Sequence, residues 1–116
     1  MKKAAVLLFI IMLALPITTW AEGYARSSGE KTATATIYNG KCVITAVEVI
    51  TDGTNNATVI VYDALSTDGK VVLELTVNGG NHYGGRVWIP PAQMHTGIHA
   101  VISGTGASYI VEYKVN

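Results

Sequence analysis

Cysteine is nearly missing from this chain. Cys42 stands alone among 116 residues, so no internal disulfide can form. A small exported domain must then draw its stability from its core, from contacts between copies, or from both. The reading of Cys42 is a buried small hydrophobe in a strand. Proline is confined to Pro16, Pro90 and Pro91, and the single phenylalanine, Phe9, lies in the first ten residues. Charge is sparse and balanced, with 8 basic and 8 acidic residues. No cluster of Lys and Arg is present to neutralise phosphates, which excludes a nucleic-acid-binding surface.

The apolar run at the start, Ala4–Leu15, is 12 residues long, well short of the ~20 that a membrane-spanning helix needs. Lys2 and Lys3 precede it, Pro16 follows, and Thr19-Trp20-Ala21 places small residues where a signal peptidase requires them. The pattern predicts a cleaved signal peptide over 1–21 and a bacterial protein that is secreted, periplasmic or on the cell surface. Membrane contact is then limited to export. The mature chain has 95 residues and carries 6 basic against 8 acidic side chains. That length fits one domain.

What is present is strand text. Glu22–Lys31 is polar with two glycines and reads as a flexible arm, followed by a single domain over 32–116. Seven short strands are expected: Thr32–Tyr38, Lys41–Thr51, Thr58–Asp63, Val71–Val77, Arg86–Ile89, Ile98–Ser103 and Tyr109–Val115. No segment after the signal has helical period. The fold class is therefore all-β, an antiparallel sandwich of jelly-roll or immunoglobulin-like type. Asn39-Gly40 predicts a two-residue hairpin, and Cys42–Asp63 reads as a second hairpin around the DGTNN turn. Val71, Leu73, Leu75 and Val77 are expected inward, with Glu74 outward. Pro90-Pro91 sets an edge or an end, and Asn78–Gly85, with four glycines in eight residues, reads as a long flexible loop.

Strict alternation along Cys42–Ile50 gives two apolar sets. Val43, Val47 and Val49 share one face with Thr45, while Ile44, Ala46 and Ile50 share the other with Glu48. A strand apolar on both sides is covered on both. Ile44, Ala46 and Ile50 are accordingly the candidate subunit interface.

Chemistry is harder to find. The chain holds no HExxH, GxSxG, P-loop or CxxC pattern, and no catalytic residue is assigned. Asp52, Thr54 and Asn56 alternate like calcium ligands, but Ala57 and Asp63 occupy the places where an EF-hand loop has Gly and Glu. His95 and His99 would lie about 13 Å apart on an extended chain. No metal or cofactor is expected. Glu48, Glu74 and Glu112 read as solvated strand faces, and Asp52, Asp63 and Asp68 as turn residues. His82, Tyr83 and Trp88 form a candidate ligand patch, because Tyr and Trp combine contact area with a polar handle; a glycan or cell surface is the ligand class that suits it.

Through Thr51–Asp63 (TDGTNNATVIVYD), Leu73–Val77 (LELTV) and Gly104–Tyr113 (GTGASYIVEY), the chain resembles a small β-sandwich domain of tailed-bacteriophage structural proteins. The resemblance spans most of Thr32–Val115 and implies a domain that decorates or extends a particle and associates with its own copies. The signal peptide departs from that setting and implies a domain recruited to an exported bacterial assembly, surface layer or filament. A non-catalytic protein whose partner is itself is the resulting expectation.

Overall fold

β-branched residues dominate the central segments CVITAVEVI and ATVIVYD, and side chains of that shape pack best on a pleated surface. In the computed structural model, which describes residues 24–115, eight strands form: β1 (Tyr24–Ser27), β2 (Ala35–Asn39), β3 (Cys42–Ile50), β4 (Ala57–Asp63), β5 (Lys70–Val77), β6 (Tyr83–Met94), β7 (Gly97–Ser103) and β8 (Ser108–Val115). A single 3₁₀ turn, Gly79–Asn81, separates β5 from β6. The expected signal peptide lies outside the described residues.

The strands make two four-stranded sheets, β1-β8-β3-β6 and β2-β7-β4-β5, with every pairing antiparallel. The pairs are nested: β4 with β5, β3 with β6, β2 with β7, β1 with β8. A long ribbon folded at the β4–β5 turn and then rolled, so that β8 also meets β3 and β7 also meets β4, has this order. It is a jelly roll.

Nesting overturns two expectations. Cys42–Asp63 is no hairpin, because β3 belongs to the first sheet and β4 to the second. Asn39-Gly40 likewise crosses between sheets: Gly40 takes φ 135° and donates its N–H to Thr96 O at 2.9 Å. Asn39 keeps negative φ, so the turn lacks the paired positive φ of a type I′ hairpin. Among the described residues only β4 and β5 are consecutive strands within one sheet.

The core lies between the sheets, with Ile44, Val47, Val49, Tyr109 and Val111 of the first facing Val59, Val61, Ile98 and Ala100 of the second, all fully buried. Each fully buried Val or Ile contributes roughly 1.5–3 kcal/mol, which supplies the stability that no disulfide gives. Tyr109 brings a polar end into the fully buried layer, and its hydroxyl donates to Ala33 O at 3.0 Å.

Bulges set which residues face this core. On β3, Ile44 pairs with Tyr113 and Ala46 with Glu112, leaving Thr45 as an extra residue. Its hydroxyl donates to Glu112 O at 3.1 Å. One extra residue reverses the alternation, so Cys42 and Ile44 point inward before the bulge and Val47 and Val49 after it. A second bulge lies on β5, where Val61 pairs with Leu73 but Tyr62 with Val71. Val72 is then half-buried and Val71 is 48% exposed, contrary to the expected inward placement of Val71.

Two further segments differ from expectation. The arm read as flexible carries β1, held on β8 from Tyr24↔Val115 to Ser27↔Glu112. β6 runs on through Pro90-Pro91 to Met94, although a short strand ending at Ile89 and a loop over Ala92–Gly97 were expected. It is the outer strand of its sheet, and Trp88–Pro91 lie between the paired residues Val87 and Ala92 without partners on β3. The prolines therefore remove no ladder bond.

Candidate functional site

The β5–β6 connection and the turn after β3 meet at one end of the sandwich. Asp52 organises the turn: its carboxylate accepts from Thr54 N–H at 2.9 Å, Asn55 N–H at 2.7 Å and the Asn55 side-chain amide at 2.7 Å. The Asn55 bonds, backbone first, and then Thr54 hold its pKa below the ordinary carboxylate value. Of the residues that alternate like calcium ligands, Asp52 is thus taken up in closing the turn, and Asn56 Oδ1 accepts from Gly79 N–H. Among the described residues no three His, Cys, Asp or Glu side chains converge to hold an ion.

Thr51 ties the second loop down. Its buried hydroxyl donates to Gly79 O at 3.0 Å and accepts from Gly53 N–H at 3.1 Å, while its N–H donates to His82 O at 2.6 Å. Gly79 N–H donates to Asn56 Oδ1 at 3.0 Å. Asn78–Gly85, read as a flexible loop, is thereby fastened to the DGTNN turn. Contact is close enough that a Cβ on Gly79 would lie 2.2 Å from Thr54 O.

Tightness has a local consequence at His82. Its φ of 55° and ψ of −48° place it near the strained γ-turn region, and it is the one non-glycine residue of positive φ among the described residues. Such backbone costs on the order of 1–3 kcal/mol and persists only where its surroundings enforce it. The imidazole lies over Gly53, whose φ of 88° and lack of a side chain leave it room.

His82 delivers Tyr83 to the surface, 73% exposed. Glu48, Ile50, Thr51, His82 and Tyr83 line an open depression of about 400 Å³. A smaller one of about 260 Å³ adjoins it, sharing Glu48 and Tyr83 and running along Ala46 to Val87. The arrangement offers an aromatic ring, a carboxylate and an imidazole on an open shelf.

Of the expected patch, His82 and Tyr83 come together and Trp88 does not join them. Alternation along β6 puts Tyr83, Val87 and Ile89 outward, whereas Trp88 packs half-buried against the core with the Arg86 guanidinium 5.4 Å from its ring centre. Of the expected interface, Ala46 and Ile50 are half-buried outside the core, but Ile44 is fully buried. The bulge at Thr45 moves it inward.

Pro90-Pro91 was read as setting an edge or an end, and β6 is an outer strand; sequence reasoning missed the apolar row exposed along it. Val87 is 68% and Ile89 91% exposed, in a row with Tyr83. Pro90-Pro91 directly after Ile89 was the available signal, since prolines mark an outer strand.

The remaining histidines lie away from this shelf. His99 Nδ1 lies 3.0 Å from Thr36 Oγ1, and His95 donates its main-chain N–H to Asp63. Cys42 is buried, and burial, followed by the nearby Asp63 charge, pushes its thiol up to about 11. It stays protonated at neutral pH and is a poor nucleophile. Comparison with protein-family models, with curated proteins and with solved structures finds no match.

Proposed function

We propose that the mature chain is an exported, non-catalytic structural subunit that associates with its own copies into an extracellular assembly, filament or surface layer. One observation carries this reading: Tyr83, Val87 and Ile89 stand exposed in a row on β6, an outer strand of the first sheet. Outer strands are normally guarded by charge, proline or bulges because their free backbone groups recruit other chains; on β6 the prolines and the bulge guard Trp88–Pro91 and leave Tyr83–Val87 without them. Along Tyr83–Met94 the only charged residue is Arg86. Ala46 and Ile50 extend the apolar surface onto β3. The exported location rests on Lys2–Ala21, and the jelly-roll order is one that coat-forming domains use, in keeping with the phage likeness.

Light scattering on mature protein is expected to show oligomers, and Ile89→Asp is expected to weaken them. Covering one Ile contributes about 1.5–3 kcal/mol, so each contact loses roughly 10- to 100-fold in affinity. The melting temperature of the monomer should hardly move, because Ile89 is exposed there. A wild-type protein that stays monomeric at high concentration removes the reading.

The strained His82 beside Tyr83 favours a second reading, a glycan- or surface-binding module. Oligosaccharide binding that is lost in Tyr83→Ala and kept in Trp88→Ala would select it.

A further inference from the structure

β1 is held unlike any other strand. All four of its residues are exposed, and it pairs only with β8, as the outer strand of its sheet. The chain continues along β8 after it: Ser28 N–H donates to Val111 O at 2.9 Å, Val111 N–H to Ser28 Oγ at 2.8 Å, and Lys31 and Tyr109 exchange main-chain bonds at 2.8 and 2.9 Å. The Glu30 carboxylate also accepts from the buried Ser108 hydroxyl at 2.8 Å. Tyr24–Lys31 is therefore bound by main-chain bonds and the side chains of Ser28 and Glu30, with no buried apolar anchor.

Such binding is marginal. Each bond replaces one to water and gains little net, while every ordered residue loses chain entropy. A Tyr24–Lys31 segment from another copy makes the same bonds, so exchange costs no contact within that segment. In an assembly, where neighbours are held at high effective concentration, the choice of donor is decided by proximity.

We infer that Tyr24–Lys31 is exchanged between adjacent copies, each arm lying on the β8 edge of its neighbour. This inference rests on the self-association reading and supplies its linkage. Thr32–Thr34 is the hinge, between the Lys31↔Tyr109 bridge and the first β2 pair, Ala35↔Ala100; the bonds that Ala33 O accepts from the Tyr109 hydroxyl and Thr34 Oγ1 from Ile102 N–H are the ones its movement gives up. Three residues reach about 10 Å at full extension, so donor and acceptor must sit with their β8 edges side by side. Reciprocal exchange closes a dimer; one-way exchange propagates a chain. The mature N-terminus, expected at Glu22, leaves the donor strand near a free end that can withdraw without threading.

The test uses Ala25 and Lys114, register partners that are both exposed. Mature Ala25→Cys and Lys114→Cys proteins are refolded together and mildly oxidised. Exchange is expected to give a disulfide-linked dimer at least tenfold above either variant mixed with wild type. Light scattering is run on the same samples. Oligomers without the linked dimer, together with an intrachain bond in the Ala25→Cys, Lys114→Cys double variant, overturn the exchange and leave self-association standing. Monomers with only the intrachain bond overturn both. Should the cysteine variants fold poorly, deleting Tyr24–Lys31 provides the second measurement: at least a tenfold loss of assembly is expected, and assembly at wild-type concentration overturns the exchange.

Discussion

Gly79→Ala lowers the melting temperature of the mature protein by roughly 15–20 °C, at 4–8 °C per kcal/mol for a domain of this size. The added Cβ would sit 2.2 Å from Thr54 O, 2.3 Å from Thr54 C and 2.7 Å from Asn55 N. All three are main-chain atoms that cannot rotate away, so the turn after β3 and the 3₁₀ turn must separate. Overpacking of this kind costs about 1–3 kcal/mol. Separation also breaks the bonds from Thr51 Oγ1 to Gly79 O and from Gly79 N–H to Asn56, each contributing about 1 kcal/mol. Gly80 is the control, because a Cβ there meets nothing within 4 Å, and Gly80→Ala should stay within about 0.5 kcal/mol. Equal losses in the two variants would show that the contact between the turns does not matter. The same change displaces His82 and Tyr83, so whatever the shelf binds should be weakened in Gly79→Ala and spared in Gly80→Ala.

Asp63→Asn is expected to destabilise the protein by about 2 kcal/mol at neutral pH, the scale of hydrogen bonds to a charged acceptor. Asp63 ends β4, and its carboxylate accepts the N–H groups of His95 at 3.0 Å, Thr96 at 2.9 Å and Gly97 at 3.4 Å. It thereby fixes the crossing from β6 to β7. Burial pushes its pKa up, but the three N–H donors, with a smaller contribution from the His95 charge, outweigh burial and leave it below the ordinary value of 3.8. A depressed pKa means that the unfolded chain binds the proton first. The stabilisation is therefore complete above the unfolded value and is lost as pH falls through the folded one. Denaturant titrations of wild type and Asp63→Asn should differ most at neutral pH and converge on acidification below about pH 4. A constant gap down to pH 2 would mean that the charge plays no part.

Much of the inward and outward assignment was readable from residues alone. Tyr109, Val111 and Tyr113 face the core, and Glu48, Glu74 and Glu112 face water, because alternation reports burial wherever the ladder is regular. Thr45 and Val72 mark where that reading fails. Neither residue type announces a bulge, yet one extra residue moves Ile44 into the core and Val71 out of it. The apparent double apolar face of Cys42–Ile50 is largely two half-strands of opposite phase; only Val43, Ala46 and Ile50 remain as a partly apolar outer surface.

Pairing was less readable than burial. Turn chemistry at Asn39-Gly40 and DGTNN is local, and a tight turn serves equally well to join neighbours or to step between sheets. The nested order depends on contacts between strands far apart in the chain, which no local pattern encodes. The shelf was half legible. His82 and Tyr83 stood out, while Glu48 and Ile50 join them only through the β3–β6 pairing, where Ile50 is register partner to Tyr83 and Glu48 to Gly85.

Because β8 lies between β1 and β3, the last of the described strands in chain order is an internal one. A chain ending at Ser103 has every strand of the second sheet, but in the first only β3 and β6 can pair, and β1 has no partner. The sandwich cannot close until Gly104–Val115 is released, so a chain still being made is kept open by its own topology.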